Sequence, residues 1–273
     1  MPENHFDLYF LGFDVKGQSS SAGKIRSDRQ GLLELTHNYG TELDEGYTIS
    51  NGNQEPNLGL KHLGITVGDL EQTVAQLACV PVTEQGEIAG SNEVQSVIVQ
   101  DPDGYCIEVT SSAAEPSNFS AGVENRCFNS TGLRIKDPTV SLPWYTDILG
   151  MSLLLRSDKQ GQTTYWLGYL DGGSNRSIHQ REGLVKLIWT HGSELELGKV
   201  YHNGNDQPQG FGHLALAVDD ITAACEYLES RKVKWKKRLT DGKLKSIAFI
   251  IDPDEYWIEI IQNVRIKEPL GIQ

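Results

Sequence analysis

Positive charge is scarce in this sequence: 24 Lys and Arg stand against 37 Asp and Glu, a formal net charge of −13 over 273 residues. That balance excludes general binding to nucleic acid or to anionic membranes. Long hydrophobic runs are missing as well. No stretch approaches the roughly 20 apolar residues that a membrane helix needs. The start, MPENHFDLYF, lacks the basic residues and apolar core of a secretory leader. Cysteine is sparse. Cys79, Cys106, Cys127 and Cys225 lie far apart with no Cys-x-x-Cys pair, so they read as reduced thiols of a cytoplasmic protein. Asn118, Asn129 and Asn175 head Asn-x-Ser/Thr sequons, which without an export signal read as chance. Hydrophobic residues at 38% and charged residues at 22% are ordinary for a globular chain of this length.

What the sequence does contain is a repeat. DLYFLGF, ending at Phe13, resembles TTYWLGY, ending at Tyr169. ISNGNQEP (49–56) matches YHNGNDQP (201–208), GLKHLGITVGDL (59–70) matches GFGHLALAVDDI (210–221), and DPDGYCIEV (101–109) matches DPDEYWIEI (252–260). His62 to His213 and Glu108 to Glu259 are both separations of 151 residues. A constant offset over such a distance means two copies of one half rather than a solenoid. The expected division is an N-terminal half at 1–112, a linker at 113–126 rich in Ala, Ser, Asn and Pro, a C-terminal half at 127–263 and a tail at 264–273.

Each half divides again. HLGITVGDLEQTVAQLA, LRIKDPTVSLPWYTDILGM and HLALAVDDITAACEYLE each read as a strand, an Asp-marked turn and an apolar-striped helix. Asp69 with Gln72 fits a capping box. β-rich runs such as TTYWLGY, LVKLIW, SIAFII and YWIEII follow the helices. The unit is strand–helix–strand–strand–strand, an α+β architecture in which an antiparallel sheet is covered by a helix on one face and left open to a ligand on the other. The copies differ at the front. Met1 falls just before the equivalent of Thr163, so the first of four modules is expected to lack its opening strand–helix–strand, by design or through the placement of the start. Pro143 is expected to kink its helix, and Glu255 stands where the first copy has the turn glycine Gly104.

Glu34, His62 and Glu108 stand out in the first half, with Lys186, His213 and Glu259 as their alignment partners. Histidine and glutamate on separate strands suit a divalent metal with mixed nitrogen and oxygen ligands. The same residues can equally be a hydrogen-bonded histidine at a strand start and the polar side of an alternating strand.

Together, LELTHNYGTE, NGN-x-x-P followed by GFGH, DGKLKSIAFI and DPD-x-YWIEI resemble the glyoxalase I (lactoylglutathione lyase) family, from Leu8 to Ile261. The layout is similar to its fused, two-site members. The resemblance implies the vicinal-oxygen-chelate fold of paired βαβββ modules. It also implies one or more zinc or nickel sites and isomerisation of the hemithioacetal of methylglyoxal and glutathione to S-lactoylglutathione. In that family the first module meets the fourth and the second meets the third. One site would then hold Glu34, His213 and Glu259 as metal ligands, with Glu34 and Glu259 catalytic. Asn38, Lys237 and Lys243 would grip glutathione. The other would hold His62, Glu108, Ser130 and Lys186, and is expected to be degenerate. Ser130 replaces a Gln or His ligand, and the Lys186 ammonium replaces a glutamate and cannot ligate a cation. The expectation is one divalent ion per chain, a glutathione adduct as substrate, and a monomer or homodimer. Two rivals remain: a repurposed isomerase or cyclase of this fold, and a non-catalytic ligand binder. The basic run 231–245 places Lys232, Lys234 and Lys236 outward, with Val233 and Trp235 inward.

Overall fold

The Asp-marked turns start helices as the sequence demands. The carboxylates of Asp69, Asp137 and Asp220 accept backbone N–H groups of Gln72 at 2.8 Å, Thr139 at 2.8 Å and Ala223 at 3.0 Å. Each satisfies a donor that the first helical turn leaves open. They cap α1 (Leu70–Gln76), α2 (Pro138–Pro143) and α3 (Ile221–Ser230). The computed structural model describes residues 5–13, 24–77, 82–87, 95–111, 126–170, 177–242 and 244–263. Lys243, the tail and all but Arg126 of the expected linker lie outside these residues.

Fourteen strands among the described residues complete the modules. The first module contributes β1 (Phe6–Leu11) and β2 (Leu33–Asn38), an antiparallel pair with Phe10 opposite Glu34. The second is β3 (Leu60–Val67), α1, β4 (Val82–Glu87), β5 (Gln95–Gln100) and β6 (Cys106–Ser111). The third is β7 (Cys127–Ile135), α2, β8 (Ser152–Lys159), β9 (Gln162–Gly168) and β10 (Leu184–Thr190). The fourth is β11 (His213–Val218), α3, β12 (Lys234–Lys237), β13 (Ile247–Ile251) and β14 (Trp257–Gln262). Strand–helix–strand–strand–strand therefore recurs three times.

The sheets are mixed, not antiparallel as the sequence suggested. In each complete module the last strand returns beside the first and parallel to it: β3 with β6, β7 with β10, β11 with β14. The helix after the first strand makes that possible, because a parallel neighbour needs a crossover and a hairpin cannot supply one. An antiparallel seam between β3 and β7 then fuses the second and third modules into one eight-stranded sheet, ordered β4-β5-β6-β3-β7-β10-β9-β8. The fourth module forms a separate sheet, β11-β14-β13-β12. Among the described residues no strand pairs with the outer edge of β11.

The helix sides carry the core. Tyr145, Met151, Tyr165, Leu167 and Leu187 of the third module share one apolar cluster with Ile221, Leu228, Ile250, Ile258 and Ile260 of the fourth. Full burial of such side chains contributes roughly 1.5–3 kcal/mol each. The repeat copies of Tyr165, Leu167 and Leu187 are Tyr9, Leu11 and Leu35, which are 53%, 46% and 45% exposed. The burial difference tracks the helix: α2 covers the third module's strands, and among the described residues the first module has no counterpart. Pro143 ends α2, and the chain continues as a π-helical turn over Trp144–Ile148. The missing N–H of proline breaks the regular ladder at that point. Tyr145 is anchored there by donating to Asp252 at 2.8 Å.

The two DPD turns match atom for atom. Asp101 and Asp252 each accept two backbone N–H groups, from Asp103 and Tyr105 and from Asp254 and Tyr256. Gly104 sits at φ 81° and Glu255 at φ 72°, a left-handed conformation that costs a non-glycine residue about 1–2 kcal/mol. Ion pairs from Glu255 to Lys234 at 3.0 Å and Lys199 at 3.2 Å offset part of it.

The two NGN loops run against each other at the centre of the repeat. Ser50 donates its N–H to Gln209 at 2.8 Å and His202 donates to Leu58 at 2.7 Å. Gly59 and Gly210 are equivalent here: a Cβ on either would fall 2.1 Å from the His202 carbonyl or 1.8 Å from that of Ser50. Gly210→Ala should therefore destabilise the fold by roughly 1–3 kcal/mol or more in urea unfolding. Gly212→Ala, whose Cβ would meet nothing within 4 Å, should stay within about 0.5 kcal/mol of the parent. Equal effects at the two positions would refute the close approach.

Candidate functional site

Two clusters of polar side chains lie on the repeated strands. In the first, the parallel register of β11 and β14 sets Ala215 opposite Glu259, so His213 shares its face two residues earlier. His213 Nε2 lies 3.4 Å from Glu259 Oε2. Phe249, opposite Glu259 on β13, meets the His213 ring edge-on at 5.2 Å and limits its rotation. Glu34 on β2 is in the same field. Burial pushes its carboxyl above the usual range, His213 opposes that shift, the Glu259 carboxylate adds to it, and Arg26 opposes it again. Arg26 stacks 4.3 Å over Phe10, the cross-strand partner of Glu34.

The structure thus brings Glu34, His213 and Glu259 within electrostatic reach of one another. Among the described residues, however, no three His, Cys, Asp or Glu side chains are drawn up tightly enough to hold an ion. His213 and Glu259 are the close pair. The donor set of one imidazole and two carboxylates suits a divalent cation with an open position.

The second cluster sits on the β3–β7 seam. The registers place Glu108, Gly64 and Ser130 in one row and His62, Gly132 and Lys186 in the next. Each row carries glycine at its middle. A Cβ on Gly64 would fall 2.2 Å from Ser130 Oγ, and one on Gly132 would fall 2.9 Å from His62 Nε2. The glycines make room for the Ser130 hydroxyl and the His62 ring. Lys186 Nζ donates to Glu108 Oε2 and lies 5.3 Å over the Trp166 ring. Burial by itself would raise the Glu108 carboxyl; Lys186 and then His62 overcome it and pull it to about 2. Burial lowers His62 to about 4 against the pull of Glu108. Their 3.6 Å approach is therefore between a neutral imidazole and a carboxylate at neutral pH. His179 borders the cluster, lowered by burial and by Lys186. An ammonium in hydrogen-bond contact with the one carboxylate does not fit a metal site.

Asn38 ends β2 and is exposed. The Lys237 ammonium donates to the Leu244 carbonyl at 2.6 Å and that of Ile247 at 2.8 Å, so most of its donors are already engaged. Lys232, Lys234 and Lys236 point outward, with Val233 buried and Trp235 half-buried. Arg134 is a structural staple: its guanidinium donates to Gly52 O at 2.7 Å and Asn53 Oδ1 at 2.9 Å. Asn129 is buried, donating to Ile178 O at 2.8 Å and Arg181 O at 2.9 Å, which removes that sequon from solvent. Arg26 and His179 were not singled out from the sequence. Both lie in the short 3-10 turns that precede β2 and β10, and the shared Gly-Leu at 31–32 and 183–184 was the available signal.

Residues 128–260 match the family model described as the Glyoxalase/Bleomycin resistance protein/Dioxygenase superfamily. The chain is 42% identical over 265 residues to the lactoylglutathione lyase of Schizosaccharomyces pombe, covering 96% of this chain and 85% of that one. It is 36% identical over 269 residues to glyoxalase I of Saccharomyces cerevisiae, covering 96% and 82%. The crystal structure of glyoxalase I from Zea mays superposes with a TM-score of 0.68 over 96% of this chain and 81% of that chain, at 23% identity, a likeness of fold. No helix among the described residues is long and apolar enough to cross a membrane.

Proposed function

The chain belongs to the glyoxalase I (lactoylglutathione lyase) family of carbon–sulfur lyases, and from that premise we propose that it isomerises the hemithioacetal of methylglyoxal and glutathione to S-lactoylglutathione at the first cluster alone. The observation that carries this reading is the asymmetry of the repeat. The His213–Glu259 pair reproduces the His62–Glu108 pair, at 3.4 and 3.6 Å, but only the first cluster faces a carboxylate, Glu34, where the other faces Lys186. Two carboxylates and an imidazole carry the negative charge that a divalent ion requires; a carboxylate paired with an ammonium carries none.

One divalent ion, zinc or nickel, held by Glu34, His213 and Glu259 would supply Lewis-acid stabilisation of negative charge on the substrate oxygens. The protein's own groups do the rest. A carboxylate of the pair Glu34 and Glu259 takes the proton from one carbon and returns it to its neighbour. Phe249 holds the His213 ring in place. Asn38, Lys237 and Lys243 contact the glutathione portion, Lys237 releasing one loop carbonyl to do so. Widely spaced cysteines without a Cys-x-x-Cys pair fit a cytoplasmic setting.

Calorimetry with an S-alkyl glutathione tests the substrate assignment. Binding should be measurable and should weaken with salt. Replacing Lys237 and Lys243 together by alanine should cost roughly 1–3 kcal/mol, the range for hydrogen bonds to charged groups. No heat with any glutathione conjugate would overturn the assignment and favour a different substrate or a non-catalytic role.

A further inference from the structure

The second cluster keeps the layout of a cation site and fills it with a cation that belongs to the chain. His62, Glu108, Ser130 and Lys186 come from the four central strands of the eight-stranded sheet, with the Ser130 hydroxyl packed over Gly64 and the His62 ring over Gly132. Lys186 is the repeat counterpart of Glu34. With His62 neutral, Glu108 and Lys186 cancel. A divalent ion entering here would have to displace an ammonium from its carboxylate and then remain beside it, where like charges repel at short range.

Two further atoms point the same way. His62 Nε2 and Ser130 Oγ are buried and have no hydrogen-bond partner among the described residues. Buried polar atoms are ordinarily satisfied. The imidazole nitrogen over Gly132 and the hydroxyl oxygen over Gly64 are donors that the Lys186–Glu108 contact leaves unused. Lys186 itself is nearly inaccessible, its side chain 4% exposed, so its charge is not shared with solvent. It also joins β10 of the third module to β6 of the second, across the seam.

We propose that Lys186 is a built-in surrogate for a divalent metal ion: its ammonium takes the place of the ion beside Glu108 and His62, closing the second cluster to metal while holding the two modules together. This concerns the second cluster only, and stands whether or not the first is catalytic. Removing the surrogate should reopen the site. The full-length Lys186→Glu variant recreates the carboxylate, histidine and carboxylate set of the first cluster. Produced with added zinc and then dialysed, it should carry one more equivalent of zinc per chain than the parent, measured by mass spectrometry. His62→Ala in the Lys186→Glu background should remove that equivalent, and His62→Ala in the parent should leave the zinc content unchanged. If Lys186→Glu fails to fold without metal, refolding with and without zinc decides. Recovery only with zinc supports the proposal, and failure in both overturns it. A folded Lys186→Glu variant that gains no zinc, or a parent whose zinc content falls on His62→Ala, also overturns it.

Discussion

His213→Ala and Glu259→Gln are each expected to lower turnover of the hemithioacetal by at least about 10²-fold, the scale of losing a group that stabilises developing charge. They should also remove about one divalent ion per chain. His62→Ala and Glu108→Gln are expected to leave turnover and metal content near the parent while lowering stability. The two pairs are close copies in register and spacing, so a difference in effect has to come from what faces them. Glu34 adds a negative charge to one pair. Lys186 adds a positive charge to the other and engages its carboxylate. Measured stoichiometry discriminates: one ion per chain agrees, and two would mean that the lysine yields its place. None after growth in zinc or nickel would mean that Glu34, His213 and Glu259 are too few. Lost activity on His62→Ala with unchanged metal would instead assign the chemistry to the second cluster.

The module pattern was legible because it is written in local terms. An aspartate before an apolar stripe gives a capped helix, and alternation at period two gives a strand. All three capping aspartates act as their positions suggest. The parallel pairing of first and last strands was not legible, since strand order depends on where the crossover helix returns the chain. The site residues on strands were found through the repeat, which flags equal positions such as His62 and His213. Arg26 and His179 escaped because they lie in short turns whose sequences differ between the copies. The roles of Lys237 and Arg134 were hidden for another reason: most of their partners are backbone carbonyls, which no side-chain pattern reports. Glu255 shows a limit of the opposite kind. The turn it occupies is a glycine turn in one copy, yet ion pairs from Lys199 and Lys234, remote in sequence, hold a glutamate in it.

Acid should loosen the second cluster before it reaches the Lys186–Glu108 pair. His62 is held near 4 in the folded protein by burial, against about 6.5 in an unfolded chain. Between those values the unfolded state binds a proton that the folded state refuses, so stability falls as pH drops from about 6.5 to 4 and is full above 6.5. From pH 7 to pH 4.5 this one group should cost about 2–3 kcal/mol. Glu108, pulled to about 2, stays ionised through that window and adds its own loss only below about 4.5. Other groups overlap. His179, lowered by burial, acts in the same direction. Asp252, raised to about 8 by burial and by Asp254, acts in the opposite one, because its folded form holds a proton that the unfolded form has released. A single stability curve mixes these, so the useful quantity is a difference. Urea unfolding of the parent and of His62→Gln at pH 7 and pH 4.5 isolates the histidine. The gap between the two proteins should shrink by roughly 2–3 kcal/mol at the lower pH. If the gap stays constant, His62 titrates as it does in water, and the second cluster is open to solvent rather than sealed around the Lys186–Glu108 pair.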